Sequence, residues 1–241
     1  FPENEINDAL DEPLNASRLP APKKIPHLAY KLTRTGQEIS ATFINLNAQL
    51  KTEKLVKDYV RTLGPSNIRN AAVVVIDNQQ HRVITYVGSA DYSDTTDGGQ
   101  VNGAAAIRQP GSTLKPLLYG LCMDAGIMTP KTVLTDAAIS YNGYAPENFD
   151  KKLNGYVTME YALEHSLNIP AVKSLRALGK DKFVQQLAGC NLNQVKKDQQ
   201  KLGLSLILGG CGTTLEEMTA LFSSFANEGN FIPPLYTSTD P

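Results

Sequence analysis

The stretch Arg108-Gln109-Pro110-Gly111-Ser112-Thr113-Leu114-Lys115-Pro116, followed by the apolar run Leu117-Leu118-Tyr119-Gly120-Leu121, decides how the rest of the chain is read. Pro110 and Gly111 interrupt what precedes them. A helix is expected from Ser112, because Pro116 then falls in its first turn, where a missing N–H costs little. Ser112 and Lys115 are i and i+3 on one face, which brings a hydroxyl and an amine within reach beside the unpaired N–H groups of a helix start. A serine oxygen is a weak nucleophile until a base takes its proton, and lysine is such a base only when burial or a second cation lowers its pKa. S-x-x-K recurs by chance about once in a chain of this length, and most such pairs are solvated helix faces. The weight therefore falls on the remaining residues.

The 241 residues, 41% hydrophobic and 20% charged, are enough for a substantial core in one large or one-and-a-half domains. Net charge is −1 and no basic run occurs, which argues against a nucleic-acid or anionic-lipid partner. No apolar stretch approaches the roughly 20 residues of a membrane span, and no signal peptide is seen. The abrupt ends at Phe1 and Pro241 read as a piece of a longer protein. Cys122, Cys190 and Cys211 lack C-x-x-C spacing and are expected to be buried free thiols, with a Cys190–Cys211 bridge as the alternative. His27, His81 and His165 are scattered and read as ordinary polar positions, so no metal site is expected. Asp91, Asp94 and Asp97 repeat every three residues, whereas a calcium loop needs alternate positions; a solvated loop is expected.

In chain order, residues 1–35 are proline-rich with one short expected helix over 5–10, and read as a connector. Residues 38–47 have strand character, and Thr52 is the expected N-cap of a helix through Leu63 that Gly64-Pro65 stops. The runs 71–77 and 83–88 predict an antiparallel hairpin whose apolar first strand is covered on both faces. Residues 127–150 read as a long loop that can wall a groove. Thr158 caps a helix ending near Ser166-Leu167-Asn168, and Pro170 starts another that Gly179 closes. Ser166 and Asn168 thus share a short connection. Alone, S-x-N is usually a helix-end hydrogen bond. A further helix is expected over 181–189, then a polar surface stretch over 190–201 and an apolar turn over 205–210. A capping box at Thr214 to Glu217 opens a last helix ending near Gly229. The fold class is α+β.

S-x-x-K, S-x-N and K-T-G, in that order, are the motif set of penicillin-binding proteins and class A β-lactamases, and this chain has the first two in order. Arg108-Gln109-Pro110-Gly111-Ser112 with Lys115-Pro116 resembles the R-Q-P-G-S-x-x-K-P of class A penicillin-binding protein transpeptidase domains. Pro146-x-Asn148-x-Asp150, Gly155-x-Val157-Thr158 and Ala162-Leu163-x-x-Ser166-Leu167-Asn168-Ile169-Pro170-Ala171-Val172 resemble the segment that carries the second motif. The hairpin and the helix from Thr214 are similar to that domain's first strands and to the helix before its third motif. The resemblance spans about residues 36–235 and is nearest to the 1C branch.

The resemblance implies an antiparallel sheet with helices on both sides, residues 36–241 as the N-terminal part of the transpeptidase domain, and residues 1–35 as the connector and tail of an upstream glycosyltransferase domain. It implies Ser112 as acyl-enzyme nucleophile with its N–H in the oxyanion hole, Lys115 as its base, Ser166 as proton relay and Asn168 as holder of the substrate amide. Peptidoglycan stem peptides ending in D-Ala-D-Ala would be the substrate, β-lactams would acylate the same serine, and no cofactor is implied. The location would be the periplasmic side of the inner membrane, with any tether outside this chain. K-T-G is absent: Lys131-Thr132 is followed by Val133, and Arg34-Thr35-Gly36 precedes both motifs. The sheet is therefore expected to be incomplete, its open edge able to take a second chain that completes it. Two other readings stand beside this one: a β-lactamase or carboxypeptidase, for which no deacylating glutamate is evident, and a non-catalytic module of the same fold that binds peptidoglycan or senses β-lactams.

Overall fold

A computed structural model describes residues 24–33, 41–141 and 143–240. Its elements run α1 (Pro26–Thr33), α2 (Leu46–Leu63), β1 (Val73–Asp77), β2 (Arg82–Val87), α3 (Lys115–Asp124), β3 (Val133–Asp136), β4 (Gly155–Thr158), α4 (Met159–Glu164), α5 (Asn168–Leu178), α6 (Lys180–Gly189), α7 (Asn193–Asp198) and α8 (Leu215–Ser223).

The expected hairpin forms. β1 and β2 pair antiparallel with Val73 opposite Val87 and Asp77 opposite Arg82. The register steps from Val75–Thr85 to Ile76–Val83, which leaves Ile84 as an extra residue. That bulge reverses the side-chain alternation and puts Val83 on the same face as Tyr86. This face packs with Val74, Leu28 of α1 and Leu215 of α8, while Val87 packs with Val56 and Val60 of α2. Helices thus cover both faces, and the α+β expectation holds. The sheet has two strands among the described residues.

A second hairpin lies where a loop was expected: β3 pairs antiparallel with β4, Val133 opposite Thr158 and Asp136 opposite Gly155. Four-residue strands leave little periodicity to read, and their partners are about twenty residues apart in sequence. The larger core is helical. Leu118, Tyr119 and Cys122 of α3 are enclosed by Val172 and Leu175 of α5, Phe183 and Leu187 of α6, Val195 of α7 and Leu206. Val195 makes α7 a packed helix inside the stretch expected to be polar surface.

Three boundaries differ from expectation for local reasons. α2 starts at Leu46, capped by Asn45, whose side chain accepts from Ala48 N at 3.0 Å, so Thr52 lies inside the helix. The strand expected over 38–47 is reduced to an isolated bridge from Thr42 to Thr237, with residues 34–40 outside the described ones. α8 ends at Ser223 and continues as a 3₁₀ turn, Ser224–Ala226. Thr158 and the Thr214–Glu217 capping box open α4 and α8 as predicted. The helix expected over residues 5–10 lies outside the described residues. α1 was not foreseen, and its His27, read as an ordinary polar position, is buried and bonded at 3.0 Å to Ser89 Oγ and Gly99 O. All three cysteines are free; Cys122 and Cys211 are buried and Cys190 is partly so.

Candidate active site

The site is built where the largest core meets solvent at the start of α3. Gly111–Leu114 form a 3₁₀ turn and the α-helix begins at Lys115, not Ser112, with Pro116 in its first turn. In a 3₁₀ turn i and i+3 eclipse, so Ser112 still lies one turn before Lys115 on the same side. The segment is clamped at both ends. Arg108 and Thr213 exchange backbone hydrogen bonds of 2.8 and 2.9 Å. Gly111, at φ +61°, lies against Gly209, where a Cβ would stand 2.6 Å from Gly111 N and 2.7 Å from its Cα. A side chain at residue 209 would push directly on the turn that carries Ser112.

Lys115 is 1% exposed, between Leu114 and Leu118 of the helical core. Its Nζ donates to Ser166 O at 2.6 Å, Ser166 Oγ at 3.1 Å and Asn168 Oδ1 at 2.7 Å. All three acceptors are neutral. With burial disfavouring the ammonium, its pKa falls to about 8. At pH 7 about a tenth of a group of that pKa is free amine, against about 0.03% for an ordinary lysine.

Ser166 owes its place to the end of α4. Its φ is +49°, with Ser166 N bonded to Leu163 O at 3.0 Å and Leu167 N to Ala162 O at 2.9 Å, the paired bonds of a left-handed helix stop. Glycine usually fills that position. A serine there turns both its carbonyl and its hydroxyl toward Lys115. Asn168 is the first residue of α5. Its Nδ2 donates to Glu147 O at 2.8 Å, which leaves Oδ1 facing Lys115.

Lys115, Ser166 and Asn168, read from two motifs 51 and 53 residues apart, therefore meet at one amine. Ser112 is half-buried at the adjoining turn, and among the described residues its hydroxyl is not bonded to that amine. Two residues behind the cluster were missed. Asn148 and Asp136 are buried and hydrogen-bonded to each other and, through Asn148, to the start of α5. Asn148 stood in the sequence only as part of a matching segment, and Asp136 carried no signal at all. Among the described residues no group of three or more His, Cys, Asp or Glu side chains is arranged to hold a metal.

A small antiparallel sheet flanked by helices carries the S-x-x-K lysine buried against S-x-N, and comparison with known proteins gives the family. The penicillin binding protein transpeptidase domain matches residues 71–240, and the chain belongs to that family. Penicillin-binding protein 1C of Escherichia coli is 34% identical over 230 residues, covering 93% of this chain and 29% of that protein. Penicillin-binding protein 1F of Bacillus subtilis is 34% identical over 180 residues, 73% of this chain and 24% of that protein. The chain thus spans only 29% and 24% of the length of these curated relatives. Among solved structures, penicillin-binding protein 1A from Haemophilus influenzae aligns with a TM-score of 0.61 and 26% identity over 70% of this chain and 25% of its own. The penicillin-binding protein PonA1 from Mycobacterium tuberculosis aligns with a TM-score of 0.69 over 89% of this chain and 58% of its own; at 19% identity it supports the fold alone.

Proposed function

We propose that the chain is the nucleophile-bearing part of a peptidoglycan D,D-transpeptidase of the class A type, cross-linking stem peptides through an ester on Ser112. The observation that carries this reading is the Lys115 amine, buried, held only by neutral acceptors and one turn from Ser112. Lys115 in its free-amine form takes the Ser112 Oγ proton as Oγ attacks the carbonyl carbon of the penultimate D-alanine. The peptide C–N bond breaks, and the departing D-alanine amine receives a proton relayed from Lys115 through the Ser166 hydroxyl, which is 3.1 Å from Nζ. The acceptor strand's amine then attacks the ester, its proton leaves by the same route, and Ser112 is freed. Asn168 has a second amide N–H beyond the one given to Glu147, available to hold the donor peptide. With a β-lactam the ring C–N bond opens but the amine stays tethered, so the ester persists. PonA1, which shares the fold, has been crystallised in complex with penicillin V.

The remaining oxyanion donor and the carboxylate-binding group would come from a K-T-G strand, which this sequence lacks. The sheet edge beside β1 is where a second segment would complete the fold. By its family the site would act outside the cytoplasm, on the periplasmic side of the inner membrane. The test is the intact mass of the folded protein after incubation with penicillin, alone and with a separately supplied K-T-G segment, beside a Ser112→Ala control. An adduct lost in the control is expected. No adduct in either sample would leave a non-catalytic peptidoglycan- or β-lactam-binding module as the better reading.

A further inference from the structure

We propose that Asp136 and Asn148 are positioning residues that fix the place of Asn168 at the start of α5, and through it the place of the Lys115 amine. This rests on the acyl-transfer reading above. Asp136 ends β3 and is fully buried, yet among the described residues no cation pairs with it. A buried carboxylate is costly unless hydrogen bonds replace its water. Here they all come from neutral amides: Asn148 Nδ2 at 2.8 and 2.9 Å, Asn154 N at 2.9 Å and Asn154 Nδ2 at 2.7 Å.

An ionised carboxylate only accepts, so it dictates which end of Asn148 faces it. Asn148 Nδ2 also donates to Lys152 O at 2.8 Å, and both neighbours demand the same orientation. Asn148 Oδ1 is thereby aimed the other way, at Asn168 N (2.8 Å) and Ile169 N (3.4 Å). These are the first N–H groups of α5. Pro170 follows with no N–H, and Leu167 supplies no side-chain cap, so Asn148 caps this helix from a distant loop. Glu147, the residue before Asn148, accepts from Asn168 Nδ2 and so turns Asn168 Oδ1 to Lys115. A chain of hydrogen bonds therefore runs from a buried charge through Asn148 and Asn168 to the reacting amine. Neither Asp136 nor Asn148 is among the groups proposed to touch substrate.

Asp136→Asn tests the chain because it changes shape little and puts a donor where one carboxylate oxygen now accepts: an amide NH₂ at this place meets only donors. Turning Asn148 over to accommodate it would set N–H against the N–H of Asn168. We expect acylation by penicillin at pH 7 to fall at least tenfold, with the break of its pH profile near 8 moving downward as Lys115 loses an aligned acceptor. Hydrogen exchange of the Asn168 and Ile169 amides should speed at least tenfold while exchange in α3 and α6 stays unchanged. The double exchange Asp136→Asn with Asn148→Asp returns an acceptor to α5 and should restore most of that protection, and it serves equally if the single variant does not fold. A general loss of stability would lower the reacting fraction without moving the break. Unchanged exchange at residues 168 and 169 and an unchanged pH break in folded Asp136→Asn would overturn the inference. Failure of the wild-type protein to form an adduct at Ser112 would instead overturn the acyl-transfer reading, and the exchange data would still decide the positioning claim.

Discussion

Changing Asn168 to aspartate places a carboxylate where a neutral oxygen now lies 2.7 Å from the Lys115 amine. The site holds that amine with three neutral acceptors in a buried pocket, which brings its pKa to about 8 from 10.5. At pH 7 this leaves about 10% of the amine free rather than about 0.03%, a gain of about 300-fold in base. An adjacent opposite charge raises a lysine pKa by about one to three units. Asn168→Asp should therefore slow acylation at pH 7 by about 10-fold to about 300-fold, the upper bound being return to an ordinary lysine. Asn168→Ala removes an acceptor without adding charge, so it should move the pKa the other way. The assay is the second-order rate constant for a fluorescent penicillin between pH 6 and 9.5. Wild type should rise with pH and level off near 8, Asn168→Asp should break later, and Asn168→Ala should break earlier. Breaks that do not separate in this order would refute the assignment of Lys115 as the base.

Ser166→Ala and Ser166→Gly should both cut acylation about 100-fold or more through loss of the relay hydroxyl. Glycine removes the left-handed strain at φ +49°, so it should be more stable than the alanine variant by about 1 kcal/mol in urea unfolding. Gly209→Ala forces a Cβ against the Gly111 backbone at φ +96° and should cost about 2–4 kcal/mol, read by urea unfolding, with slower acylation because the Ser112 turn must shift. Burial holds the His27 pKa below 6.5, so as pH falls below 6.5 the unfolded chain takes up the proton first. Stability should be lost between 6.5 and the lower folded value, and His27→Gln should flatten that part of a urea-midpoint series. Thr214→Ala removes one half of the α8 capping box and should cost about 1 kcal/mol by the same measurement.

Elements whose signal is local were legible in the sequence. The 71–77 and 83–88 runs, the Thr158 cap and the Thr214–Glu217 box each carry their instruction within a few residues, and each forms as read. Ser112, Lys115, Ser166 and Asn168 were legible as motifs, although spacing alone could not reveal that the Lys115 amine lies on Ser166 and Asn168. What stayed hidden depends on contacts between distant segments. β3 and β4 are too short for periodicity, and α7 hides one buried Val195 among polar neighbours. The start of α2 was misplaced because Asn45, inside a strand-like run, caps it. Asp136 and Asn148 were invisible as site residues because their role is to hold other polar groups, and no local pattern marks a buried hydrogen-bond chain.

The proposal stands or falls on the Ser112 hydroxyl being the nucleophile served by the Lys115 cluster. Its most direct test is peptide mass mapping of the penicillin adduct on the folded protein. The added mass should fall on the peptide containing Ser112, at that residue, and disappear in Lys115→Met. An adduct at another residue, or one at Ser112 that forms equally fast without the lysine, would contradict it.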